Sequence, residues 1–369
     1  MTIESVLDTA IADESIPGAV AAVTAPGRDP VIYVAGNDGD GSPLRRDTIM
    51  RIASISKPIV AAAALSLVDS GAVAPGDPIV RWLPELAGRP VLRADDAQLD
   101  DTVSAEREVT VDDVLTFRCG DGMLPRFPMD APIQLAYAEA QLGSDGPPGR
   151  YAPPAPDEWI RRLAALPLVA EPGTRWLYQT PSDLLGVLLS RIAGRTLPEL
   201  LAERIFEPAG MVDTAFFVPP EKLDRFVPLW TRTEGVLQIF DPADGMWSSP
   251  PEFPLSSSGL VSTIDDLVQF TDALRDGRLV SAESLEAMTT DHLTPQQRED
   301  ADVFLDGAGW GYGQCVESNG YYGWDGGLGT GWRTDPQTGV ADVLLTQVMW
   351  TSPQDSALVQ RFREAAHAQ

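Results

Sequence analysis

The sequence is short of the residues that support many common kinds of site. Its 369 residues include two histidines and two cysteines, and only two of its 27 basic residues are lysines. Cys119 and Cys315 lie far apart, and their spacing fits neither a disulfide framework nor a metal site. No apolar run approaches the roughly 20 residues of a membrane-spanning helix, and the acidic start of the chain lacks the basic and apolar parts of a secretory signal. These absences predict a cytoplasmic protein with reduced cysteines, no metal and no membrane partner.

Positive charge is scarce relative to negative charge. The formal net charge is −27 and the isoelectric point is near 4.3. A field of this sign repels phosphate backbones and anionic membranes, so nucleic acid is not expected as a partner. Solubility is the simplest explanation of the charge. The hydrophobic content of 44% is ordinary for a globular protein with a sizeable core.

The usual catalytic motifs are missing as well. Histidine is the common base of serine hydrolases, but His292 lies in a polar stretch and His367 lies two residues before the last residue. The chain has no G-x-S-x-G, no H-E-x-x-H and no glycine-rich phosphate loop ahead of a helix. Their absence argues against α/β-hydrolases, zinc proteases and nucleotide-binding enzymes. Any chemistry must therefore work without histidine, and no motif calls for a cofactor.

The hydrophobic pattern predicts strands near both ends of the chain and helices in the middle. Helices are predicted at 2–14, 56–70, 110–116, 157–166, 181–193, 197–206, 263–275 and 354–366, and strands at 19–24, 31–35, 309–315, 329–334 and 340–349. The proline-rich stretch 144–156 is a long loop whose role the composition does not give.

This order of elements predicts an α/β (α+β) fold with one antiparallel sheet, assembled from N- and C-terminal segments and flanked by helices. A mainly helical lobe is inserted beside the sheet. We expect residues 1–369 to form a single domain, with an α/β lobe at 1–75 and 255–369 and a helical, loop-rich lobe at 76–254. The functional site is then expected between the two lobes.

One candidate for chemistry without histidine is the tetrapeptide that runs from Ser54 to Lys57. Residues three apart on a helix share a face, so the lysine ammonium can reach the serine hydroxyl. The start of a helix also favours a developing negative charge. A desolvated lysine can lose its proton whereas arginine cannot, which makes Lys57 notable in a chain that otherwise uses arginine. As a bare pattern, the tetrapeptide is also open to interpretation as a capping serine and a snorkelling lysine.

Three motifs in order strengthen this candidate by resemblance to a known family. The stretch 51–58 (RIASISKP) resembles the first motif of the class C β-lactamases and family VIII carboxylesterases, a branch of the serine β-lactamase-like and penicillin-binding-protein-like superfamily. The stretch 176–180 (WLYQT) is similar to that branch's tyrosine motif. The stretch 324–327 (WDGG) is similar to its third motif, which is Lys-Thr-Gly in penicillin-interacting enzymes. Similar stretches at 110–116 and 258–263 extend the resemblance over nearly the whole chain.

The resemblance implies a β-lactamase/transpeptidase-like fold and a role for particular residues. Ser54 would be the nucleophile, and Lys57 with Tyr178 the general base system. The backbone N–H groups of Ser54 and Gly327 would form the oxyanion hole. The residues implied to bind the substrate are Phe117, Thr180, Trp324, Asp325 and Gly326.

Two departures from the family pattern bear on the substrate. Trp324 stands where β-lactamases have lysine, and Thr180 stands where asparagine is common. We therefore expect weak or no turnover of β-lactam antibiotics. Arg333 could replace the lost positive charge, although a solvated strand residue is the preferred interpretation.

The resemblance favours a carboxylesterase acting on short-chain acyl esters, with Phe117, Tyr151 and Trp324 lining the acyl pocket. An amidase, a D-amino-acid peptidase or a weak β-lactamase using the same residues remains open. A catalytically inactive binding protein with this fold is the alternative from another class. The enzymatic hypotheses imply a small-molecule ester or amide as partner, and the oligomeric state stays open.

Overall fold

The fold is seen in a computed structural model of the chain, which describes residues 2–125, 128–143, 153–351 and 356–368. Tyr151 and most of the loop predicted at 144–156 lie outside these residues.

Strands from both ends of the chain form the central sheet. The strands of the described residues are β1 (Gly18–Thr24), β2 (Val31–Gly36), β3 (Met50–Arg51), β4 (Pro90–Leu92), β5 (Thr102–Ser104), β6 (Leu229–Thr233), β7 (Val236–Asp241), β8 (Val261–Ser262), β9 (Gly309–Trp310), β10 (Cys315–Val316), β11 (Tyr322–Gly326), β12 (Thr330–Thr334) and β13 (Ala341–Thr346). Seven of them form one antiparallel sheet in the order β2-β1-β13-β12-β11-β10-β9. The first and last strands of the chain meet because β1 pairs with β13, with Ala19 opposite Thr346. The predicted α/β (α+β) fold is confirmed.

Helices cover both faces of this sheet and fill the middle of the chain. The α-helices of the described residues are α1 (Ile3–Ala12), α2 (Ser56–Asp69), α3 (Val111–Leu115), α4 (Pro132–Glu139), α5 (Pro156–Ala164), α6 (Thr180–Ala193), α7 (Leu197–Leu201), α8 (Glu207–Ala209), α9 (Ile264–Arg275), α10 (Ala282–Thr289), α11 (Pro295–Asp300), α12 (Asp302–Leu305) and α13 (Ala357–His367). On one face, Ala19 and Ala21 of β1 join an apolar cluster with α1 and α13. On the other face, Val20 and Ala22 belong to the large core around α2 and α9. Both faces of β1 are buried, and this explains why its sequence is almost entirely apolar and does not alternate between polar and apolar residues.

The structure differs from the predicted elements mainly in its strands. The middle of the chain contains the hairpins β4–β5 and β6–β7, which are short or largely exposed and so lack a clear apolar face. The strand predicted at 309–315 is two short strands, β9 and β10, separated by a turn in which Gly313 has a φ of 69°. The WDGG motif lies outside the predicted strands, but its first three residues lie inside β11.

Helix α2 is buried along most of its length, as its apolar sequence predicts. Its residues from Ser56 to Leu67 are all buried, and alanine occupies positions 61–64. Small side chains let neighbouring backbone approach closely: a side chain on Gly313 would lie 2.7 Å from Cβ of Ala61. This helix carries the candidate lysine at its second residue.

Several kinds of site are absent from the described residues. They include no helix that is long and apolar enough to cross a membrane. They also include no group of three or more His, Cys, Asp or Glu side chains placed to hold a metal ion. Cys119 and Cys315 are buried free thiols, and burial raises the pKa of each. Neither is therefore a reactive thiolate at neutral pH.

Candidate active site

Ser54 lies on a tight turn between strand β3 and helix α2. The turn is a single 3-10 turn, Ala53–Ile55, and Ala53 adopts a left-handed conformation with a φ of 47°. Ser56 holds the turn in place, since its hydroxyl donates to the carbonyl of Ala53 at 2.6 Å and accepts the N–H of Leu260 at 3.2 Å. Ser54 itself is 8% exposed. Its hydroxyl therefore has a fixed backbone and little contact with bulk water.

Lys57 is buried one helical turn after Ser54. Its ammonium donates to Oγ of Ser54 at 2.8 Å and to the carbonyl of Ser257 at 2.7 Å, and it lies 3.4 Å from Oε1 of Gln179. A buried ammonium is costly unless hydrogen-bonded, and these three acceptors satisfy it. The three-residue spacing therefore does place the lysine against the serine oxygen.

Tyr178 reaches the same serine oxygen from the start of helix α6. Its hydroxyl lies 3.1 Å from Oγ of Ser54, and its ring centroid lies 4.6 Å from Nζ of Lys57. The carbonyl of Tyr178 accepts the backbone N–H of Met123, which anchors this segment. The fold thus gathers three side chains that span 124 positions of the sequence.

The indole of Trp324 is hydrogen-bonded to this group. Its N–H donates to the hydroxyl oxygen of Tyr178 at 2.9 Å. Strand β11 carries the side chain there, and its ring meets the ring of Trp310 edge-on, with centroids 4.9 Å apart. Trp324 is therefore linked to Ser54 through Tyr178.

The end of β11 packs against the turn that carries Ser54. A side chain on Gly326 would lie 2.6 Å from the carbonyl oxygen of Ile52 and 3.1 Å from Cβ of Ala53, so this approach requires glycine. Gly327 comes next, is exposed and has open space around its Cα. An oxyanion hole formed by the N–H groups of Ser54 and Gly327 stays a prediction, and the close packing at Gly326 supports it.

The motifs did not identify the amide beside Lys57. The residue expected to replace the family's asparagine is Thr180, which is buried as the first residue of α6. The side-chain oxygen near Lys57 comes instead from Gln179, one position earlier. A contact of this kind depends on how the chain enters the helix, which the sequence pattern does not fix.

Asp183 is a second polar residue that the motifs did not identify. Its carboxylate accepts the N–H of Ser257 at 3.0 Å, and the carbonyl of Ser257 in turn accepts from Lys57. Burial raises the pKa of Asp183 to about 6, although the Ser257 hydrogen bonds and the positive charge of Lys57 oppose the rise. In the sequence, Asp183 begins the stretch 183–186 (DLLG) that follows the tyrosine motif. This stretch indicates a helix, but it does not reveal that the carboxylate is buried beside Ser257.

Aromatic rings surround Tyr178. Phe304 on α12 stacks on it with centroids 5.1 Å apart, Trp176 stacks at 5.6 Å, and Phe117 is tilted at 6.1 Å. Phe117 is 1% exposed and also contacts Trp310. Phe117 therefore packs within the cluster and has almost no exposed surface with which to form the expected contact with substrate. Phe304 is partly exposed, and no motif marks it because it belongs to a four-residue helix.

Arg333 lies in a buried ion-pair network. It donates to Asp325 at 3.0 Å and to Glu317 at 2.9 Å, and Arg363 donates to Asp325 at 2.8 Å. Arg333 is 4% exposed, so its interpretation as a solvated strand residue is wrong. The reason is that β12 is an interior strand packed against α13. Its charge is balanced by two carboxylates, which argues against the alternative that it replaces the missing lysine.

Asp325 is part of the same network. Successive side chains of a strand point to opposite faces, so Asp325 points away from the face on which Trp324 meets Tyr178. Its carboxylate instead accepts hydrogen bonds from Arg333 and Arg363. These ion pairs occupy the carboxylate expected to bind substrate.

The two histidines have contacts of their own. The ring of His292 stacks on Tyr312, with its Nε2 2.9 Å from the carbonyl of Ala287. His367 lies 3.0 Å from the buried carboxylate of Asp342. The hydrogen bonds around Ser54 Oγ come from Lys57 and Tyr178 rather than from either ring.

Comparison with known proteins gives a consistent family and fold. A family model described as Beta-lactamase matches residues 3–366. Protein Rv1367c of Mycobacterium tuberculosis is 36% identical over 335 residues, which cover 85% of this chain and 80% of that protein. Esterase EstB of Burkholderia gladioli is 28% identical over 401 residues, covering 99% of this chain and 94% of that protein.

A solved structure agrees with this picture at the level of the fold. EstCE1, described as a hydrolase with promiscuous acyltransferase activity, superposes with a TM-score of 0.83. It is 22% identical, and the match covers 99% of this chain and 97% of that one. The sheet and helices described above are therefore those of a β-lactamase/transpeptidase-like fold.

Proposed function

Because the chain belongs to the Beta-lactamase family, we propose that it is a serine hydrolase that cleaves neutral short-chain carboxylic esters through an acyl-enzyme on Ser54. Its relatives support a hydrolase or acyltransferase in general terms. The ester substrate and the roles of individual residues are our proposal.

The observation that carries the proposal is the pair of contacts at the oxygen of Ser54. A serine hydroxyl is a weak nucleophile unless a nearby base removes its proton. Oγ lies 2.8 Å from Nζ of Lys57 and 3.1 Å from the hydroxyl of Tyr178. Both distances are within the range for proton transfer, and both partners are held by further contacts of their own.

The proposed reaction has two steps. In the reactive form, the pair of Lys57 and Tyr178 carries one proton fewer than a Lys57 ammonium with a Tyr178 phenol. Oγ of Ser54 forms a bond to the ester carbonyl carbon while its proton passes to this pair. The bond between that carbon and the alcohol oxygen then breaks, and the leaving alkoxide takes the proton from the same pair. In the second step, water attacks the acyl-enzyme and gives its proton to the pair, which returns a proton to Ser54 as the acid leaves.

The tetrahedral intermediates need donors for their negatively charged oxygen. We assign this role to the backbone N–H groups of Ser54 and Gly327, and each such donor is worth about 3 kcal/mol in the transition state. Close packing of Gly326 against Ile52 supports the assignment because it holds the end of β11 beside the nucleophile turn.

Charge near the site favours neutral substrates over carboxylates. Trp324 places an uncharged indole beside Tyr178, and the guanidinium of Arg333 is balanced by Asp325 and Glu317. A substrate carboxylate would therefore lack a free cation in these positions, and the net charge of −27 would repel it. Amidase, D-amino-acid peptidase and β-lactamase activity are accordingly expected to be weaker than esterase activity.

A covalent probe tests the nucleophile. A fluorophosphonate should add one phosphonyl group to the wild-type protein, measured by intact-mass spectrometry, and Ser54→Ala should remain unlabelled. Ser66→Ala is the matched control, because Ser66 is a buried serine on helix α2, which follows the turn that carries Ser54, and its hydroxyl donates to the local carbonyl of Ala63. Labelling that persists in Ser54→Ala would refute Ser54 as the nucleophile.

Substrate comparison separates the alternatives. Rates should rank p-nitrophenyl butyrate well above nitrocefin and a D-Ala-D-Ala peptide. A faster rate on either of the last two would favour the β-lactamase or peptidase alternative. Absence of both labelling and turnover would leave the inactive binding protein as the better hypothesis.

A further inference from the structure

We propose that the indole N–H of Trp324 is a positioning group for catalysis, acting through the hydroxyl of Tyr178. This inference rests on the proposed function, since it assigns Tyr178 to proton transfer with Ser54. The indole would supply, without a positive charge, the hydrogen bond that orients the phenol and stabilises negative charge on its oxygen.

The first step of the argument is the hydrogen-bond inventory of the phenol. A tyrosine hydroxyl has one proton to donate and lone pairs to accept. The indole N–H occupies an acceptor position at 2.9 Å, which leaves the phenol proton free to point to Oγ of Ser54 at 3.1 Å. An indole N–H is a donor only, so Trp324 cannot compete for that proton or reverse the direction of the bond.

The indole is held where this bond needs it. Its ring meets Trp310 edge-on at 4.9 Å, and the guanidinium of Arg333 lies 6.0 Å from its centroid. Arg333 is itself held by an ion pair with Asp325, which follows Trp324 in strand β11. A donor fixed in advance needs no reorganisation when charge develops, which is the condition for a large catalytic effect.

The bond should matter more in the transition state than in the ground state. When Tyr178 passes its proton to the leaving alkoxide, the phenol oxygen gains negative charge, and a hydrogen bond to an ionised acceptor is roughly twice as strong as one to a neutral acceptor. An interaction that strengthens only during the reaction raises kcat rather than lowering KM. Loss of the N–H should therefore lower kcat and leave KM nearly unchanged.

The aromatic cluster contains its own control. Trp310 contacts both Phe117 and Trp324, but its buried Nε1 has no hydrogen-bond partner within the described part of the chain. Replacing the N–H of Trp310 alters the ring that packs in the same cluster but removes no hydrogen bond. A structural effect would appear at both tryptophans, whereas the proposed effect would appear only at Trp324.

The experiment replaces one indole at a time with 3-benzothienyl-alanine, in which sulfur takes the place of the N–H with almost the same shape. We expect the analogue at position 324 to lower kcat for p-nitrophenyl butyrate by about 10- to 100-fold, with KM within about threefold of wild type. This is less than the roughly 100- to 1,000-fold cost of losing an oxyanion-hole donor, because the indole acts through Tyr178. The analogue at position 310 should stay within about twofold of wild type. Trp324→Phe tests the same loss by simple mutagenesis, with a melting temperature to confirm that the variant folds.

Each outcome decides between the proposals. A kcat for the position 324 analogue within twofold of wild type, in a wild-type enzyme that labels and turns over, would overturn this inference and leave the proposed function intact. Equal losses at positions 324 and 310 would also overturn it, because they would show a packing effect. A wild-type protein without labelling or turnover would overturn both proposals.

Discussion

At the scale of single residues, Lys57 is expected to transfer a proton, which a permanently charged side chain cannot do. The proposed mechanism needs a group that accepts and returns a proton, whereas arginine stays protonated at any accessible pH. Lys57→Arg should therefore lower kcat by at least about 1,000-fold even where it folds, and Lys57→Met should do the same. Ester hydrolysis and circular dichroism together check this. Activity in the arginine variant within tenfold of wild type would contradict a proton-transfer role.

Asp183 should make stability depend on pH in a direction opposite to that of an ordinary surface carboxylate. Its folded-state pKa of about 6 lies above the ordinary value of 3.8, so the native state binds its proton more tightly than the unfolded state does. The resulting contribution to stability is fully present below about pH 4 and is lost as the pH rises through 6.

Asp183→Asn removes this dependence while keeping an oxygen for the N–H of Ser257. Relative to wild type, we expect the variant to gain stability on the order of 2 kcal/mol between about pH 4 and pH 8. Urea unfolding at a series of pH values measures the difference. A difference that stays constant with pH would argue against a buried, ionisable Asp183.

What the sequence predicts at this scale is the set of side chains that motifs mark directly. Ser54 and Lys57 are found from helical spacing, and Tyr178 from the resemblance of its motif. Gln179 and Asp183 are missed because their contacts depend on how α6 and the segment around Ser257 meet in space. Spacing within one helix can be computed from the sequence, but the approach of two distant segments cannot.

At the scale of elements, long apolar segments are predicted well and short or exposed ones are not. Helices α2 and α6 and strand β1 match their predicted ranges within one or two residues. Hairpin β6–β7 escapes prediction because most of β7 is exposed or partly exposed, so it lacks the alternation that marks a half-buried strand. Helix α12 escapes because four residues are too few to show a period.

The packing of helix α6 gives a prediction at the same scale. A side chain on Gly186 would lie 2.2 Å from Oγ of Ser256, next to the residue whose carbonyl accepts from Lys57. Alanine favours helix by about 1 kcal/mol over glycine, yet we expect Gly186→Ala to destabilise the protein by about 1–3 kcal/mol through overpacking and to lower kcat. Chemical denaturation and ester hydrolysis measure the two effects.

Gly76 provides the matched control for that substitution. A side chain there would meet no atom within 4 Å, and the residue is exposed. Gly76→Ala should therefore change stability by less than about 1 kcal/mol and leave kcat unchanged. If the two alanine variants behave alike, close packing of α6 against Ser256 is not important for the fold.

At the scale of the whole molecule, the net charge of −27 is the dominant feature. Like charges repel across a compact protein, and added salt screens that repulsion over a Debye length of about 10 Å at 0.1 M. We expect the melting temperature to rise by a few degrees as sodium chloride increases from about 20 to 500 mM. Differential scanning calorimetry checks this, and a melting temperature that falls with salt would show that internal ion pairs such as Arg333 with Asp325 outweigh the repulsion.

The position of β1 between β2 and β13 also sets the order in which the molecule can assemble. As the chain emerges from the ribosome, β1 and β2 are made early, but the second edge of β1 has no partner until about 300 further residues have been made. Closing a loop of that length costs roughly 5 kcal/mol of chain entropy, which only the completed sheet offsets. Docking of the last strand onto the first hairpin is therefore expected to be a late step of folding, and the waiting edge of β1 is the surface most exposed to misassembly.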